Sequence, residues 1–377
     1  MSEKILAEFT KEYKSIVIIP DTSLDSLLAS SILFKKLLEY GLDVRVSINA
    51  KILIDYPNDP AIVVGLPVIN KDKQLAITST SPESSTTGVV VSMLDKLVGI
   101  DYMDKLISII AGLYRDLYDF KSGAFKGVEN EYLKSLVNEK RVVEVAGLRL
   151  WGVRRVGTAT ALARTLLPYI PGFTGNISKA LKIVSDAFKT QDPSSIREKE
   201  IKPGENKDLI LTFLKLLTES TKDTSLVYRL LGDFYVTLQI HNESIDIELH
   251  ELLGALIVSE SLCYECPLDI AITALDKSML IQFLILYDTI IDELALNVGS
   301  IFENLRRGEL VELPGKVKRP DILIDILSYT KALPRDKALV VNSEIGSITV
   351  LRELIRVGVK PEKVYESCRE DQICPLK

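Results

Sequence analysis

Short apolar segments separated by polar turns dominate the first third of the chain. Residues 15–20 read Ser-Ile-Val-Ile-Ile-Pro, a continuous apolar run that is typical of a strand buried on both faces of a parallel sheet. Residues 43–49 alternate between apolar and polar side chains, and residues 61–67 and 74–78 form two further apolar runs. The pattern therefore predicts four strands in this part of the chain.

Helical periodicity fills the spaces between and after these strands. The helix that follows the first strand is predicted to begin at Asp25 or Ser26, either of which can cap it, and to end at Gly41. Apolar side chains at helical spacing predict two more helices, at residues 88–98 and 102–118. Because strands and helices follow one another with short links, we expect an α/β domain built on a largely parallel sheet.

The chain is mostly helical from residue 129 to about residue 189 and then becomes polar, charged and interrupted by Pro and Gly at residues 191–207, which is typical of a linker. The patterns beyond it predict helix 208–231, strand 233–240, helix 250–259, helix 279–303, strand 338–342, helix 346–357 and strand 363–365. We therefore divide the chain into an α/β domain at residues 1–190, the linker 191–207 and a smaller α/β domain at residues 208–377.

The composition is that of a globular protein, because 47% of the 377 residues are hydrophobic. The net charge is -6, so the chain as a whole does not attract nucleic acid electrostatically. A local basic groove is still compatible with this net charge. Only two histidines occur, which weighs against a histidine-based metal centre. Charged residues interrupt every apolar run, so no membrane span is predicted and the expected location is the cytoplasm.

Four cysteines occur as two pairs that are close in sequence, Cys263 with Cys266 and Cys368 with Cys374. The first pair has the C-x-x-C spacing of many zinc sites, but the second spacing is loose for a pair of metal ligands. Free thiols or one structural disulfide are therefore the favoured alternatives to a zinc site.

A basic segment surrounds Trp151, the only tryptophan of the chain, and its arginines are Arg141, Arg149, Arg154 and Arg155. Arginine beside an exposed aromatic ring is typical of a track for single-stranded nucleic acid. A buried tryptophan below a solvated basic face is the alternative. The sequence leaves both interpretations open, and these five residues are the candidate nucleic-acid-binding residues.

The polar turn after the first strand contains two carboxylates, Asp21 and Asp25. Ligand sites of open α/β sheets lie at the carboxyl ends of strands, which is where this turn is predicted to be. Two carboxylates can hold one divalent cation weakly, but a hard cation needs more oxygen ligands than two. Capping and turn formation are therefore the favoured role of this pair.

The order of these segments resembles that of the DHH phosphoesterase superfamily, in particular its RecJ-like exonuclease branch. Enzymes of this family carry D-x-D-x-D-G after the first strand, a single aspartate after a later strand and D-H-H after the next one. The resemblance implies a parallel-sheet DHH-type domain followed by a DHH-associated-like domain. In the family these side chains hold two divalent metals, usually manganese, that activate water at a phosphodiester.

The first two motifs are altered in this chain. At the first one, Asp21 and Asp25 are kept, while Ser23 replaces the central carboxylate and Ser26 replaces the glycine. Gly65 stands at the position of the single aspartate. Serine and glycine cannot supply the negative charge that two bound metals require.

The later motifs show the same loss. Ser79, Thr80 and Ser81 stand in place of D-H-H, and this run of hydroxyls either cradles a phosphate or forms an ordinary turn, of which the turn is favoured. Asp116 is kept on a helix that carries a further acid in the family. The resemblance thus implies a vestigial site without catalytic residues, metal or cofactor. The alternative is a manganese or magnesium ion held by the two retained carboxylates of the first turn.

An inactivated RecJ-like chain of this size resembles the family of cell division control protein forty-five and its archaeal equivalents. That resemblance implies a non-catalytic scaffold subunit of the archaeal replicative helicase, which binds the GINS complex and supports the MCM helicase in DNA replication, as in the CMG helicase. Single-stranded DNA is a further implied partner. Two alternatives are a residual metal-dependent single-strand phosphoesterase that uses Asp21, Asp25 and Asp116, and a repair accessory that binds single-stranded DNA.

Overall fold

Helices and strands alternate along most of the chain. The structure, a computed structural model, describes residues 3–79, 81–119, 122–197, 206–240, 243–307, 311–313, 316–329 and 336–376. The elements up to residue 197 are α1 (Glu3–Glu12), β1 (Ser15–Pro20), α2 (Leu24–Glu39), β2 (Asp43–Val46), α3 (Ile52–Asp55), β3 (Ala61–Val64), β4 (Gln74–Ile77), α4 (Thr86–Leu97), α5 (Tyr102–Tyr114), β5 (Tyr118–Asp119), β6 (Ala124–Phe125), α6 (Glu129–Asn138), β7 (Val142–Leu148), α7 (Val153–Val156), α8 (Thr158–Arg164) and α9 (Ile177–Phe188). The later elements are α10 (Asn206–Thr221), α11 (Ser225–Leu230), β8 (Leu231–Ile240), β9 (Glu243–Glu248), α12 (Leu249–Glu260), α13 (Cys266–Ile270), α14 (Ser278–Arg307), β10 (Val311–Glu312), α15 (Asp321–Tyr329), β11 (Val341–Ser343), β12 (Gly346–Val350), α16 (Leu351–Arg356), α17 (Pro361–Ser367) and β13 (Ile373–Pro375).

Four parallel strands form the first sheet, in the order β2-β1-β3-β4. Ile18 of β1 pairs with Val46 of β2 and with Ile62 of β3, and Val64 pairs with Ile77 of β4. Strands β1 and β3 are mostly apolar because both faces of the sheet are covered there, whereas the edge strand β2 contains the exposed Asp43 and Arg45. The predicted α/β class and its parallel sheet are confirmed.

The two faces of this sheet pack against different parts of the chain. Ile18 lies in a core that it shares with α2, α4 and α5. Its neighbour Ile19 lies in a cluster on the opposite face, which includes Leu53 of α3, Leu351 of α16 and Tyr365 of α17. Because successive strand residues point to opposite faces, one short apolar run serves both cores. The last helices of the chain therefore cover the first sheet.

Three further sheets lie in the described part of the chain, and in the smallest of them β5 pairs with β6 antiparallel. Strand β7 pairs with β8 and β8 with β9 in an antiparallel sheet, while β10 to β13 form a mixed sheet. The longest helix, α14, has 30 residues and packs against α12, which is buried along its whole length. No helix among the described residues has both the length and the apolarity to cross a membrane. The division at residues 190 and 207 stays a prediction.

Two predicted elements near the end of the chain are wrong. Residues 346–350 form β12 and not the start of a helix, because they pair with β11 on one side and β13 on the other. Residues 363–365 lie within α17 and are not a strand. Pro361 starts that helix, and burial of Tyr365 against the first sheet outweighs the strand preference of this segment.

The four cysteines form two local disulfides, Cys263–Cys266 and Cys368–Cys374. No cysteine is left as a free thiol or available to bind zinc. The prediction of free thiols or one disulfide is therefore wrong, because two disulfides form. Cys368 and Cys374 are six residues apart in sequence, and they can bond because β13 turns back beside α17.

Candidate functional site

Asp21 lies at the carboxyl end of β1, where its backbone N–H extends the sheet by donating to the carbonyl of Val64. Its Oδ1 accepts hydrogen bonds from the backbone N–H and the hydroxyl of Ser23, at 2.8 and 2.5 Å. Burial raises the pKa of the Asp21 carboxyl above its ordinary value, while the bonds from Ser23 and the positive charge of Arg352 act in the opposite direction. Asp21 is thus engaged by the turn that it opens.

Asp25 binds a neighbouring helix and does not cap its own. Helix α2 begins after Ser23, whose hydroxyl accepts the N–H of Ser26, so the prediction that Asp25 or Ser26 is the cap is wrong. The Asp25 carboxylate instead accepts the N–H groups of Thr86 and Thr87 at the start of α4, both at 2.9 Å. The Thr87 hydroxyl lies 2.9 Å from the same carboxylate. Asp25 therefore accepts from buried donors that have no partner within their own helix, at the positive end of α4.

Gly65 follows β3 directly beside this turn. Its φ of +76° lies in the left-handed region that favours glycine. A Cβ atom built on Gly65 would lie 2.5 Å from Asp21 Oδ2 and closer still to the hydroxyl of Ser26. An aspartate at this position would therefore displace the side chains of the first turn.

Ser79 and Ser81, two of the three residues compared with D-H-H, lie between β4 and α4. The Ser79 hydroxyl lies 2.6 Å from the carbonyl oxygen of Ser84 and 2.8 Å from that of Ser81. The Ser81 hydroxyl accepts the N–H of Glu83 at 3.1 Å. Thr80 lies outside the described residues. Both described hydroxyls are thus used within the loop itself.

The structure brings Asp21, Ser23 and Asp116 into one cleft with a volume of about 710 Å³. Asp116 follows α5 with a left-handed φ of 55°, and its Oδ1 accepts a hydrogen bond of 3.4 Å from the hydroxyl of Tyr329 on α15. Arg115 lies at the same cleft, and its Nε is 3.8 Å from Asp25 Oδ2. The cleft therefore joins the end of the first sheet to α15, and its lining carries both signs of charge.

Arg352 of α16 forms the centre of a buried ion cluster behind this cleft. Its Nη1 lies 2.9 Å from Asp325 Oδ1, and its Nη2 lies 3.1 Å from Asp321 Oδ1. The hydroxyl of Tyr114 donates to Asp325 at 2.7 Å, and that of Thr22 donates to Asp321 at 2.7 Å. A guanidinium group thus supplies the positive charge beside the first turn, and the cluster links that turn to α5, α15 and α16.

Glu260 at the end of α12 adds a third acid to the cluster. Asp321 and Asp325 of α15, Arg352 of α16 and Tyr114 of α5 face its fully buried side chain. Burial raises the pKa of Glu260 well above its ordinary value, and the two aspartates raise it further, whereas Arg352 lowers it. Glu260 therefore holds its proton to a higher pH than an exposed glutamate does.

We expect Glu260→Gln to change how stability depends on pH. The raised pKa means that the contribution of Glu260 is fully present below its unfolded pKa of about 4.3 and is lost as the pH rises through the folded pKa. Glutamine keeps the shape and an N–H donor but does not titrate. The free energy of unfolding of the variant, relative to the natural chain, should therefore increase with pH in urea titrations. A difference that is independent of pH would contradict this prediction.

The residues of this site do not fit the two-metal centre that the family motifs imply. Asp21 and Asp25 accept hydrogen bonds from their own surroundings, and Gly65 and Ser79 offer neither a carboxylate nor an imidazole. Within the described ranges, no group of three or more His, Cys, Asp or Glu side chains is arranged to hold a metal ion. Two-metal hydrolysis needs several such ligands around ions about 3.5 to 4 Å apart. We therefore derive no hydrolytic step at this site.

The structure corrects the candidate nucleic-acid track at Trp151. Its side chain is 0% exposed, and its ring centroid lies 6.1 Å from that of Tyr287 on α14. A Cβ on Gly254 would lie 2.6 Å from the indole, so the ring is packed tightly beneath α12. A fully buried indole cannot stack on a base.

The four arginines of this segment have different surroundings. Arg141 lies 4.7 Å from the centroid of the Tyr102 ring, and the buried Arg149 lies 4.3 Å from that of Tyr118. Arg154 donates its backbone N–H to Glu248 at 2.5 Å. Arg155 forms ion pairs with Glu251 and, at 2.7 Å, with Asp288. They contact carboxylates and rings of the protein itself. Binding of nucleic acid by these arginines stays a prediction.

The ion cluster is the part of the site that sequence patterns missed. Its members Glu260, Asp325 and Arg352 are far apart in the chain, and no spacing rule connects them. One signal was available, because Glu260 ends a segment that is mostly apolar and a buried carboxyl needs a partner or a proton.

The parallel sheet, its covering helices and the later mixed sheet together define an α/β protein. No protein-family model and no curated protein matches the sequence. Among solved structures, CDC45 from Entamoeba histolytica matches with a TM-score of 0.57 and 10% identity, over 88% of this chain and 82% of that chain. The predicted resemblance to cell division control protein forty-five is thus confirmed as a likeness of fold.

Structures of RecJ also match over most of this chain. One from Thermus thermophilus in complex with Mn²⁺ has a TM-score of 0.34 and 11% identity, over 92% of this chain and 46% of that chain. Another, an exonuclease RecJ bound to manganese, has a TM-score of 0.35 and 11% identity, over 92% of this chain and 80% of that chain.

Proposed function

We propose that this chain is a non-catalytic scaffold subunit of a replicative helicase, which binds the GINS complex and supports MCM. The supporting observation is that the protein itself uses both retained carboxylates, Asp21 in the turn before α2 and Asp25 at the start of α4. The fold is nevertheless like that of CDC45 over 88% of the chain. A fold that is kept while metal-ligand positions are lost is expected where binding surfaces carry the function.

The direct test is co-purification from the source organism. We expect the tagged chain to recover GINS subunits, identified by mass spectrometry, and to recover MCM only when GINS is present. If the tagged chain is recovered without any GINS subunit, at a salt concentration low enough to preserve protein complexes, the proposal is contradicted. Salt-dependent binding of single strands without GINS would favour the repair accessory instead.

We expect no hydrolysis of labelled single-stranded DNA by the purified chain in the presence of manganese or magnesium. The physical reason is that Asp25 already binds two backbone N–H groups, and Gly65 and Ser79 supply no metal ligand. The informative variant is Asp116→Asn, because Asp116 lies in the open cleft and its replacement leaves the α4 contact intact. Metal-dependent activity of the natural chain that Asp116→Asn abolishes would establish the phosphoesterase alternative.

A further inference from the structure

Two disulfide-closed loops face each other beside the edge of the first sheet. The Cys263–Cys266 loop contributes Tyr264, and the Cys368–Cys374 loop contributes Arg369, to the walls of a groove of about 640 Å³. Val46, the last residue of the edge strand β2, and residues 47–49 after it line the same groove. The groove is separate from the cleft that contains Asp21.

Polar contacts hold the two walls together. The fully buried Arg319 donates from Nη1 to the carbonyl of Tyr264 at 3.0 Å and to that of Asp371 at 2.7 Å. Across the groove, the guanidinium of Arg369 lies 4.7 Å from the centroid of the Tyr264 ring. One buried cation thus fixes the position of one loop relative to the other.

The second loop is also anchored to the sheet. The side-chain amide of Gln372 donates to the carbonyls of Pro20 and Ile48, at 2.6 and 2.9 Å, which lie at the ends of β1 and β2. Together with the two disulfides, these bonds make the groove a preformed feature of the fold. A preformed groove binds with a smaller loss of conformational entropy than a flexible surface does.

Tyr264 separates this groove from a second recess of about 170 Å³. Lys318 and Glu344 line the recess, and the Tyr264 hydroxyl donates to Glu344 at 3.2 Å. The apolar side chains of Leu268 and Leu313 lie in the groove and the recess respectively. The two depressions therefore flank one aromatic ring and present apolar surface on both sides of it.

Carboxylates outnumber cations along both depressions. The acids are Glu265, Glu312, Glu344, Glu370 and Asp371, and the cations are Lys51, Lys318 and Arg369. Two of these cations pair with acids of the same set, Lys318 with Glu344 and Arg369 with Asp371, both at 2.8 Å. Three acids, Glu265, Glu312 and Glu370, then remain against one cation, Lys51. Glu265 and Glu370 are exposed. The charge of this surface is complementary to a basic partner.

We propose that this groove is a docking site for an extended, basic segment of a partner protein. Lysine or arginine side chains of that segment bind Glu265 and Glu370, and its apolar side chains pack beside Tyr264 and Leu268. The edge position of β2 leaves room for an extended backbone alongside residues 46–49. The proposal goes beyond the scaffold role and does not depend on the identity of the helicase partners.

The test uses a displayed random library of short peptides, selected against the intact chain with both disulfides formed. Selected peptides should be rich in lysine and arginine. Fluorescence anisotropy of the best peptide should show at least about a tenfold loss of affinity for the double variant Glu265→Lys and Glu370→Lys. The matched control, Glu131→Lys with Glu219→Lys, alters two exposed glutamates of α6 and α10 and should keep the affinity within about twofold.

Equal losses in the two double variants would show general charge attraction and would overturn the proposal. Selection of peptides that lack basic residues, or of peptides that the groove variant binds normally, would overturn it as well. Reduction of both disulfides should weaken binding of the peptide, because the two loops that form the walls of the groove are then no longer held by covalent bonds. Unchanged affinity after complete reduction would contradict the part that we assign to the disulfide loops.

Discussion

Replacement of Arg352 by methionine is expected to lower the free energy of unfolding by about 3 to 5 kcal/mol at neutral pH. Arg352 is the cation between Asp321 and Asp325, and the side chains of both acids are nearly inaccessible to solvent. Methionine fills much of the same volume but leaves the buried Asp325 and the nearby Glu260 without this positive charge. Asp321 keeps Arg319, whose Nε lies 2.9 Å from its Oδ2. Urea unfolding followed by circular dichroism measures the effect.

A surface ion pair provides the matched control for this substitution. Lys316 pairs with Glu293 at 2.7 Å, but both side chains are more than half exposed. Lys316→Met should therefore change the free energy of unfolding by less than about 1 kcal/mol. Similar small losses for the two methionine variants would show that the Arg352 cluster does not stabilise the fold as its burial implies.

The second large effect is expected for Asp25→Ala, which should cost about 3 kcal/mol of unfolding free energy. The substitution removes the acceptor for the N–H groups of Thr86 and Thr87 and for the Thr87 hydroxyl. These donors are buried, so water does not replace the lost bonds. Hydrogen exchange at the first turn of α4 should accelerate in the same variant, because that turn loses its partner.

An ordinary helix cap is the comparison for Asp25. Asn176 is exposed and caps α9 by accepting the N–H of Lys179 at 3.0 Å. Asn176→Ala should cost about 1 kcal/mol. If Asp25→Ala costs no more than this, then the buried contact between α2 and α4 contributes little to the stability of the fold, and the carboxylate is available for another function.

Local patterns predicted the strands of the first sheet because β1 and β3 are continuous apolar runs and β2 alternates between apolar and polar side chains. Ile18 and Ile19 show why this worked, since both faces of β1 are covered and every position favours an apolar side chain. Patterns failed at residues 363–365, where a short β-favouring segment lies in a helix. Its burial against β1 and β3 comes from the opposite end of the chain, which no local window includes.

The cap of α2 illustrates a finer limit. Ser23, Asp25 and Ser26 are all residue types that cap helices, so composition alone cannot rank them. The choice is made by α4, whose first N–H groups lie within hydrogen-bonding distance of Asp25 and leave Ser23 as the cap. Similarly, the burial of Trp151 follows from its contact with Tyr287, which lies far along the chain.

The sequence by itself indicated the four strands of the first sheet, the absence of carboxylate and imidazole groups at Ser23 and Gly65, and the resemblance to the RecJ-like branch. These properties follow from side-chain chemistry and from local periodicity. Only the tertiary structure decided which groups Asp21 and Asp25 bind, and that Arg352 supplies positive charge near Asp21 and Arg115 near Asp25. Hydrogen bonds and ion pairs act over about 3 Å, so their partners are set by how distant segments pack.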